Sequence, residues 1–321
     1  DSRTAYVPVD RSGFGNPESQ VYPGAFSVSG LPSIYNAHGS QPRLLFWNDA
    51  GFRGGEDEWY GALRQLCLRS GDDVDVFDTH GPTSGVGNGL GGRASVSQIA
   101  GYTDMLYTSG DLGSPTLSNG DFNGDPGNDL GLLNAWFALG GRDLFMTGDD
   151  LASSLYGSGS AARTFLESRM GVTFQDTDVR DNIAGQIAPL VVRTAANPVF
   201  MTTDNWIAYG GCFGVNDFDT VVPFGGAVRL AQFTAADGVA TPYPYAAAIL
   251  NVNGSGRVVS MNHDLMYVLH PDAKSLSPLG IRTHLLREVF FYFGVQDCLW
   301  IGESAAPGVP GALAVSAHPN P

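Results

Sequence analysis

The stretch Asn128-Asp129-Leu130-Gly131-Leu132-Leu133-Asn134-Ala135-Trp136-Phe137, closed by Gly140-Gly141 and followed by Asp143-Leu144-Phe145-Met146-Thr147-Gly148, decides the fold. Asn128 has the short polar side chain that caps a helix, and Leu132, Leu133, Trp136 and Phe137 recur at the spacing of one helical face. The glycine pair ends that helix, since glycine takes up a left-handed C-terminal cap without steric cost. Leu144-Phe145-Met146 then runs apolar without alternation, as a strand buried on both faces does.

Upstream the same unit recurs. Arg43-Leu44-Leu45-Phe46-Trp47 reads as a buried strand, and Trp59, Leu63, Leu66 and Cys67 mark a helix over 56–69. A second strand is expected at 73–77, a glycine-rich crossing loop at 81–92 and a third strand at 104–107. Short helices are expected at 150–156 and 160–170. From residue 171 the texture changes: 185–193, 227–233, 246–252 and 257–261 read as strands with no helix between them. Asn253-Gly254 is a hairpin turn signal. A last helix over 281–293 turns Leu285, Leu286, Val289, Phe290 and Phe293 inward. The expected architecture is α/β: a mostly parallel central sheet with helices on both faces, extended by an antiparallel hairpin in the second half. This domain covers 42–297. It is preceded by an irregular Pro/Gly-containing arm over 1–41 and followed by a Pro/Gly-rich linker over 298–321 that leads toward a further C-terminal module.

A chain of 321 residues with 43% hydrophobic and 15% charged residues has material for a real core and is not a disordered or coiled-coil chain. Its apolar runs are too short to span a bilayer, so no membrane insertion is expected. A net charge of −15 with no basic stretch excludes a nucleic-acid partner. Lys274 is the single lysine against sixteen arginines, and the chain begins at Asp1; both suit a mature exported protein, extracellular or on the cell surface. Three cysteines allow one disulfide. Cys67, in a helical pattern, reads as a buried free thiol, which leaves Cys212 and Cys298 as the better-placed pair.

Leu44-Leu45-Phe46-Trp47-Asn48-Asp49, Gly140-Gly141-Arg142-Asp143-Leu144-Phe145-Met146-Thr147-Gly148 and Gly256-Arg257-Val258-Val259-Ser260-Met261-Asn262-His263 together resemble the class I glutamine amidotransferase-like fold. The copies most similar to them are divergent ones in large secreted bacterial proteins. The resemblance covers roughly 43–294 and describes architecture more than reaction. Ala317-His318-Pro319-Asn320-Pro321 is similar to the opening of a C-terminal Ig-like or sorting module. The family pattern implies a nucleophilic cysteine after the fourth strand, where this chain has Gly148-Asp149-Asp150. His263 follows a late strand, near the place of the family's base. Without the thiol, the resemblance argues against glutamine hydrolysis.

Two readings of the strand ends stand side by side. Asp149 and His263 are candidate catalytic residues of a hydrolase, metal-assisted with Asp49, because ligands of open α/β sheets bind at the carboxyl edge. Alternatively, Asp149 or Asp150 caps the next helix and His263 serves packing. Asp121, Asn123, Asp125 and Asp129 place oxygens at alternating positions, as a calcium loop requires, although Leu132 stands where a bidentate carboxylate belongs. Ca²⁺ is thus a candidate ion, and no cofactor is required. The glycines of 81–92 lack the spacing of a phosphate cradle. Aromatic residues in the Gly/Pro segments (Tyr209, Phe213, Tyr243, Tyr245) suit a contact surface or loop packing. The preferred function is a non-catalytic binding or structural module with a protein or glycan surface as partner, or with its own copies in self-assembly.

Overall fold

The computed structural model describes residues 42–297 apart from 51–54, 70–72, 80–88, 114–115, 120–126, 180–188, 196, 210–217, 235–244 and 272–279. The expected arm 1–41 and linker 298–321 lie outside the described residues. So do Asp121, Asn123 and Asp125, most of the glycine-rich loop, and Phe213 and Tyr243.

The described strands are β1 (Leu44–Asn48), β2 (Val74–Asp78), β3 (Asp104–Thr108), β4 (Asp143–Thr147), β5 (Val172–Asp176), β6 (Leu190–Arg193), β7 (Trp206–Ala208), β8 (Thr220–Pro223), β9 (Val228–Thr234), β10 (Ala246–Asn253), β11 (Gly256–Met261) and β12 (Val268–Leu269). They form one sheet ordered β12-β7-β6-β9-β10-β11-β4-β3-β1-β2, with β8 pairing both β10 and β5 to the side. From β2 to β11 every pairing is parallel; from β11 outward every pairing is antiparallel. The α/β architecture expected from the sequence is present, and its antiparallel part extends well past a single hairpin. The β10–β11 hairpin turns at Gly254, whose φ of 60° a side-chain-bearing residue rarely adopts.

Alternation within β1 shows why both faces are covered. Leu44 and Phe46 join an apolar cluster with Trp59 and Leu63 of helix α1 (Glu56–Gln65) and Leu285, Leu286, Val289 and Phe290 of helix α7 (Ile281–Phe293). Leu45 and Trp47 face the opposite cluster, built by Leu133 and Trp136 of α4 (Asp129–Phe137), Leu151 and Leu155 of α5 (Leu151–Gly157) and Phe165 of α6 (Ser160–Phe165). The chain of α6 continues as a wider π turn over Leu166–Met170 and stops at Gly171, φ 70°. Between β2 and β3 lie two short helices: α2 (Leu90–Arg93), which takes up the end of the expected loop, and α3 (Val96–Ile99), just beyond it. The second is started by a capping box in which Ser95 and Gln98 hold each other's backbone N–H.

At the amino edge of the parallel strands two arginines close the end of α7. Arg43 bonds Asp104 and donates to the carbonyls of Phe293 and Gly294. Arg257 bonds Asp143 and donates to Tyr292 and Phe293. Each guanidinium thus neutralises a strand-end carboxylate and satisfies carbonyls that the helix leaves open at its C-terminus.

One expectation is corrected here. Helix α1 ends at Gln65, and Cys67 sits just beyond it with φ 58°, joined in a disulfide rather than carrying a free thiol. With three cysteines in the chain, a Cys212–Cys298 bond cannot coexist with it. The helical pattern hid this because Leu66 and Leu68, its buried neighbours, carry the apolar signal.

Candidate functional site at the carboxyl edge of the sheet

The parallel strands end together, so the residues that follow them meet at one edge: Asp49 after β1, Thr79 after β2, Ser109 after β3, Gly148 and Asp149 after β4, and Asn262, His263 and Asp264 after β11. All but Gly148 are among the buried polar residues of the chain. Side chains crowd here. A Cβ on Gly148 would lie 1.9 Å from Ser109 Oγ and 3.3 Å from both Ser109 Cβ and Leu151 Cβ, so any larger residue would force Ser109 to move.

Asp264 is the hub. Its carboxylate accepts from Trp59 Nε1 (3.1 Å), Thr147 Oγ1 (2.7 Å), Thr108 Oγ1 and the backbone N–H of Met266 (2.9 Å). One side chain thereby joins α1, β3, β4 and the 3₁₀ turn Leu265–Tyr267 that it caps. Asp49 accepts from the Tyr107 hydroxyl at 2.8 Å. Burial, then the Asp49 charge, holds the Tyr107 phenol well above its usual range, so Tyr107 is a donor and not a base.

His263 is fully buried in a box of aromatic rings, with Phe218, Phe233 and Trp206 centroids at 5.7, 5.9 and 6.1 Å. Trp206 Nε1 donates to its Nε2 at 2.9 Å. An indole can only donate, so Nε2 accepts and Nδ1 carries the proton, facing no acceptor. Burial pushes the imidazole pKa down to about 3, so the ring stays neutral at ordinary pH.

Asp149 lies on the α5 side of the edge. Its Oδ1 accepts the Asp150 N–H at 3.1 Å, and its carbonyl accepts the Asp219 N–H at 3.0 Å. The Asp219 carboxylate takes the Ser153 N–H at 2.8 Å through Oδ2, while Oδ1 is buried without a partner. Burial first, with Asp150 and Asp111 adding negative charge, holds the Asp149 carboxyl well above the carboxylate range. Burial first, with Asp150 adding to it, does the same for Asp219. Asp150 occupies the cap position of α5 but makes no side-chain cap bond.

The two candidate catalytic residues are therefore at one edge but not joined: no hydrogen bond or ion pair links Asp149 to His263, and the partner of His263 is Trp206. Nor is Asp49 hydrogen-bonded to either of them; it accepts from the Tyr107 hydroxyl. Asp264, Thr108, Thr147 and Trp206, which knit this edge, were missed in the sequence. Asp264 was within reach, being a carboxylate directly after a strand in the run Asn262-His263-Asp264. The fourth calcium candidate, Asp129, begins α4 and uses its carboxylate to accept from Gly91 N, Ser118 N and Ser118 Oγ. Among the described residues no group of three or more His, Cys, Asp or Glu side chains is arranged to hold a metal ion.

The raised carboxyls make a pH prediction. Between the ordinary carboxylate pKa of about 4 and their raised values, Asp149 and Asp219 keep protons that the unfolded chain has released, so the stability they contribute falls as pH rises through that window. His263 acts oppositely: below about 6.5 the unfolded chain gains a proton that the folded ring refuses, and stability falls on acidification. Asp149→Asn and Asp219→Asn keep the accepting oxygen and remove the charge. Each is expected to be more stable than the parent at pH 8, by about 1 kcal/mol or more, and to match it near pH 4. Urea unfolding at pH 4, 6 and 8 checks this; equal gains at all three pH values would refute the charge origin.

Fold and edge together define an α/β protein whose strand-end residues are mostly polar and buried, with no cysteine at the β4 turn. No protein-family model matches the sequence, and no curated protein matches it either. Among solved structures it is similar to two proteins described as cytoplasmic from Salmonella typhimurium. One is 13% identical, covering 78% of this chain and 98% of that one at a TM-score of 0.48. The other is 14% identical with the same coverage and a TM-score of 0.45. A putative thua-like protein from Parabacteroides merdae is 11% identical, covering 80% of this chain and 92% of that one at a TM-score of 0.41. The expected extracellular or cell-surface location is corrected against the first two, which are named cytoplasmic proteins, and it is withdrawn. Among the described residues no helix is long and apolar enough to cross a membrane.

Proposed function

We propose that this chain is a non-catalytic binding or structural module whose partner is a protein or glycan surface. The reading rests on one observation above all: His263, the base an amidotransferase-like site would use, accepts from Trp206 inside an aromatic box and makes no bond to Asp149. A general base must reach the proton it removes, and a neutral ring whose pKa is about 3 is poorly matched to that task. The polar strand ends work as internal fasteners: Asp264 ties four elements and Asp49 holds Tyr107.

A second reading, a carboxyl-based hydrolase, is favoured by two buried carboxyls held above the usual carboxylate range: Asp149 after β4, and Asp219 before β8, whose N–H bonds the Asp149 carbonyl. A panel of ester, amide and glycoside substrates, with and without Ca²⁺ or Zn²⁺, separates the two. The binding module shows no turnover on any substrate. Turnover that disappears in folded Asp149→Ala protein would overturn it in favour of the hydrolase.

A further inference from the structure

We infer that the cavity beside Arg193 binds an acidic sugar, a hexuronate-type ring whose carboxylate pairs with the Arg193 guanidinium. The inference rests on the binding-module reading and deepens it, naming the chemistry of the glycan that such a module holds.

Arg193 ends β6, and the loop after it leads to β7. Internal bonds set the shape of that loop. Thr194 N–H bonds the Leu230 carbonyl at 2.9 Å, and Arg193 N–H bonds Asn205 Oδ1 at 3.3 Å. Asn197 Oδ1 accepts the N–H groups of Val199 and Phe200 at 2.8 and 2.9 Å. Glu288 of α7 holds Thr202 and Thr203. The walls so fixed enclose a cavity of about 370 Å³, which shares no lining residue with the carboxyl edge of the parallel strands.

The charge in this cavity has no answer within the chain. Arg43, Arg69, Arg257, Arg282 and Arg287 each meet an Asp or Glu. Arg193 meets none among the described residues, and the residues lining the cavity include no Asp or Glu. Its Nη1 donates to the carbonyls of Phe200 and Met201 at 2.9 and 2.6 Å, which uses both hydrogens of that nitrogen. Nε is buried without a partner, and Nη2 has none among the described residues. Those two nitrogens form the fork that grips a carboxylate with two parallel bonds. The same side of Arg43 holds Asp104, and that of Arg257 holds Asp143. A ligand carboxylate on Arg193 completes the arrangement that the chain itself builds twice, and satisfies a buried donor that is costly to leave unpaired.

The rest of the lining favours a sugar over other carboxylates. Asn205 Nδ2 has no partner among the described residues, and Asn197 Nδ2 uses one hydrogen on the Leu230 carbonyl. Thr194 Oγ1 donates to the Arg229 carbonyl at 2.7 Å and keeps its lone pairs for accepting. Amide donors beside a hydroxyl acceptor suit ring hydroxyls, each of which both donates and accepts. Met201, 60% exposed, supplies an apolar wall for the C–H face of a ring. The volume lies near the small end of the ~300–1,000 Å³ range of small-molecule sites, which is room for one ring rather than a peptide segment.

Isothermal titration of the full chain at low salt tests this with sodium glucuronate, glucose, sodium acetate and N-acetyl-glutamyl amide. Glucuronate is expected to bind at least about tenfold more tightly than the other three, since glucose lacks the carboxylate and the others lack the ring. Arg193→Lys keeps the charge and a donor for the loop carbonyls but loses the fork. It should weaken glucuronate binding about tenfold with the Tm unchanged. Ala195→Trp places a large ring on an exposed lining residue and should abolish binding with Arg193 intact. The inference is overturned by no saturable glucuronate binding, by equal affinity for glucose or acetate, or by affinity unchanged in either folded variant. A glutamyl amide that binds as tightly would overturn it in favour of an acidic peptide. Turnover in the substrate panel would end the module reading without altering this titration, and a failed titration would leave the module with a different partner.

Discussion

Asp264→Ala is expected to remove about 4 kcal/mol of folding stability, the largest loss of any single substitution at the carboxyl edge. Alanine leaves the Trp59 indole, the Thr108 and Thr147 hydroxyls and the Met266 N–H without the acceptor they share. A buried donor stranded in this way costs about 1–3 kcal/mol, and partial relaxation keeps the total below the sum. Domains are stable by about 5–15 kcal/mol, so the variant would stand near the folding threshold. Asp264→Asn keeps an accepting oxygen and should lose about half as much. The midpoint of urea unfolding measures both, with the slope unchanged. A loss under about 1 kcal/mol for alanine would show that the edge rearranges around other acceptors.

The second large effect lies on α7. Glu288, 8% exposed, accepts the N–H and hydroxyl of Thr202 through Oε1 and those of Thr203 through Oε2. It thus fastens the segment that leads into β7, and with it Trp206, the partner of His263. Glu288→Ala should cost about 3 kcal/mol, since four donors to a charged acceptor are lost at once. Hydrogen exchange should rise at Thr202 and Thr203 more than at the β1–β3 ladder. Uniform acceleration across the sheet would mean that Glu288 supports global stability rather than this segment.

The parallel half of the fold was legible because its signals are local. β1, β3 and β4 are five-residue runs buried at every position, and glycines, caps and helical stripes punctuate them. The hairpin between β10 and β11 announced itself through Asn253-Gly254. The short strands β5, β7, β8 and β12 did not. β12 has two residues and β7 three, and partners in the sheet, not their own composition, make them strands. The helix at Val96–Ile99 could have been read from Ser95 and Gln98, a capping-box spacing inside a segment dominated by glycine.

The site was legible by position and not by partnership. Asp149 and His263 fall at strand ends as expected, but which atom each one meets depends on Trp206 and Asp219, residues separated from them by tens of positions. The role of Asp264 depends on Trp59, which is 205 residues away, and on Thr108, 156 away. Spacing along the chain carries no trace of such meetings.

The pairing of β4 with β11 has a consequence for synthesis on the ribosome. β4 has β3 on one side from the start, but its other side is closed by β11, and Arg257 reaches Asp143 across 114 residues of sequence. At about 5–20 residues per second, the nascent chain carries an open strand flank, with Leu144, Phe145 and Met146 at its centre, for roughly 6–23 s before its partner emerges. An exposed strand flank is a template for pairing with other chains. The interval before β11 appears is therefore when this protein most needs a holding chaperone, and slowing translation between β4 and β11 would lengthen that exposure.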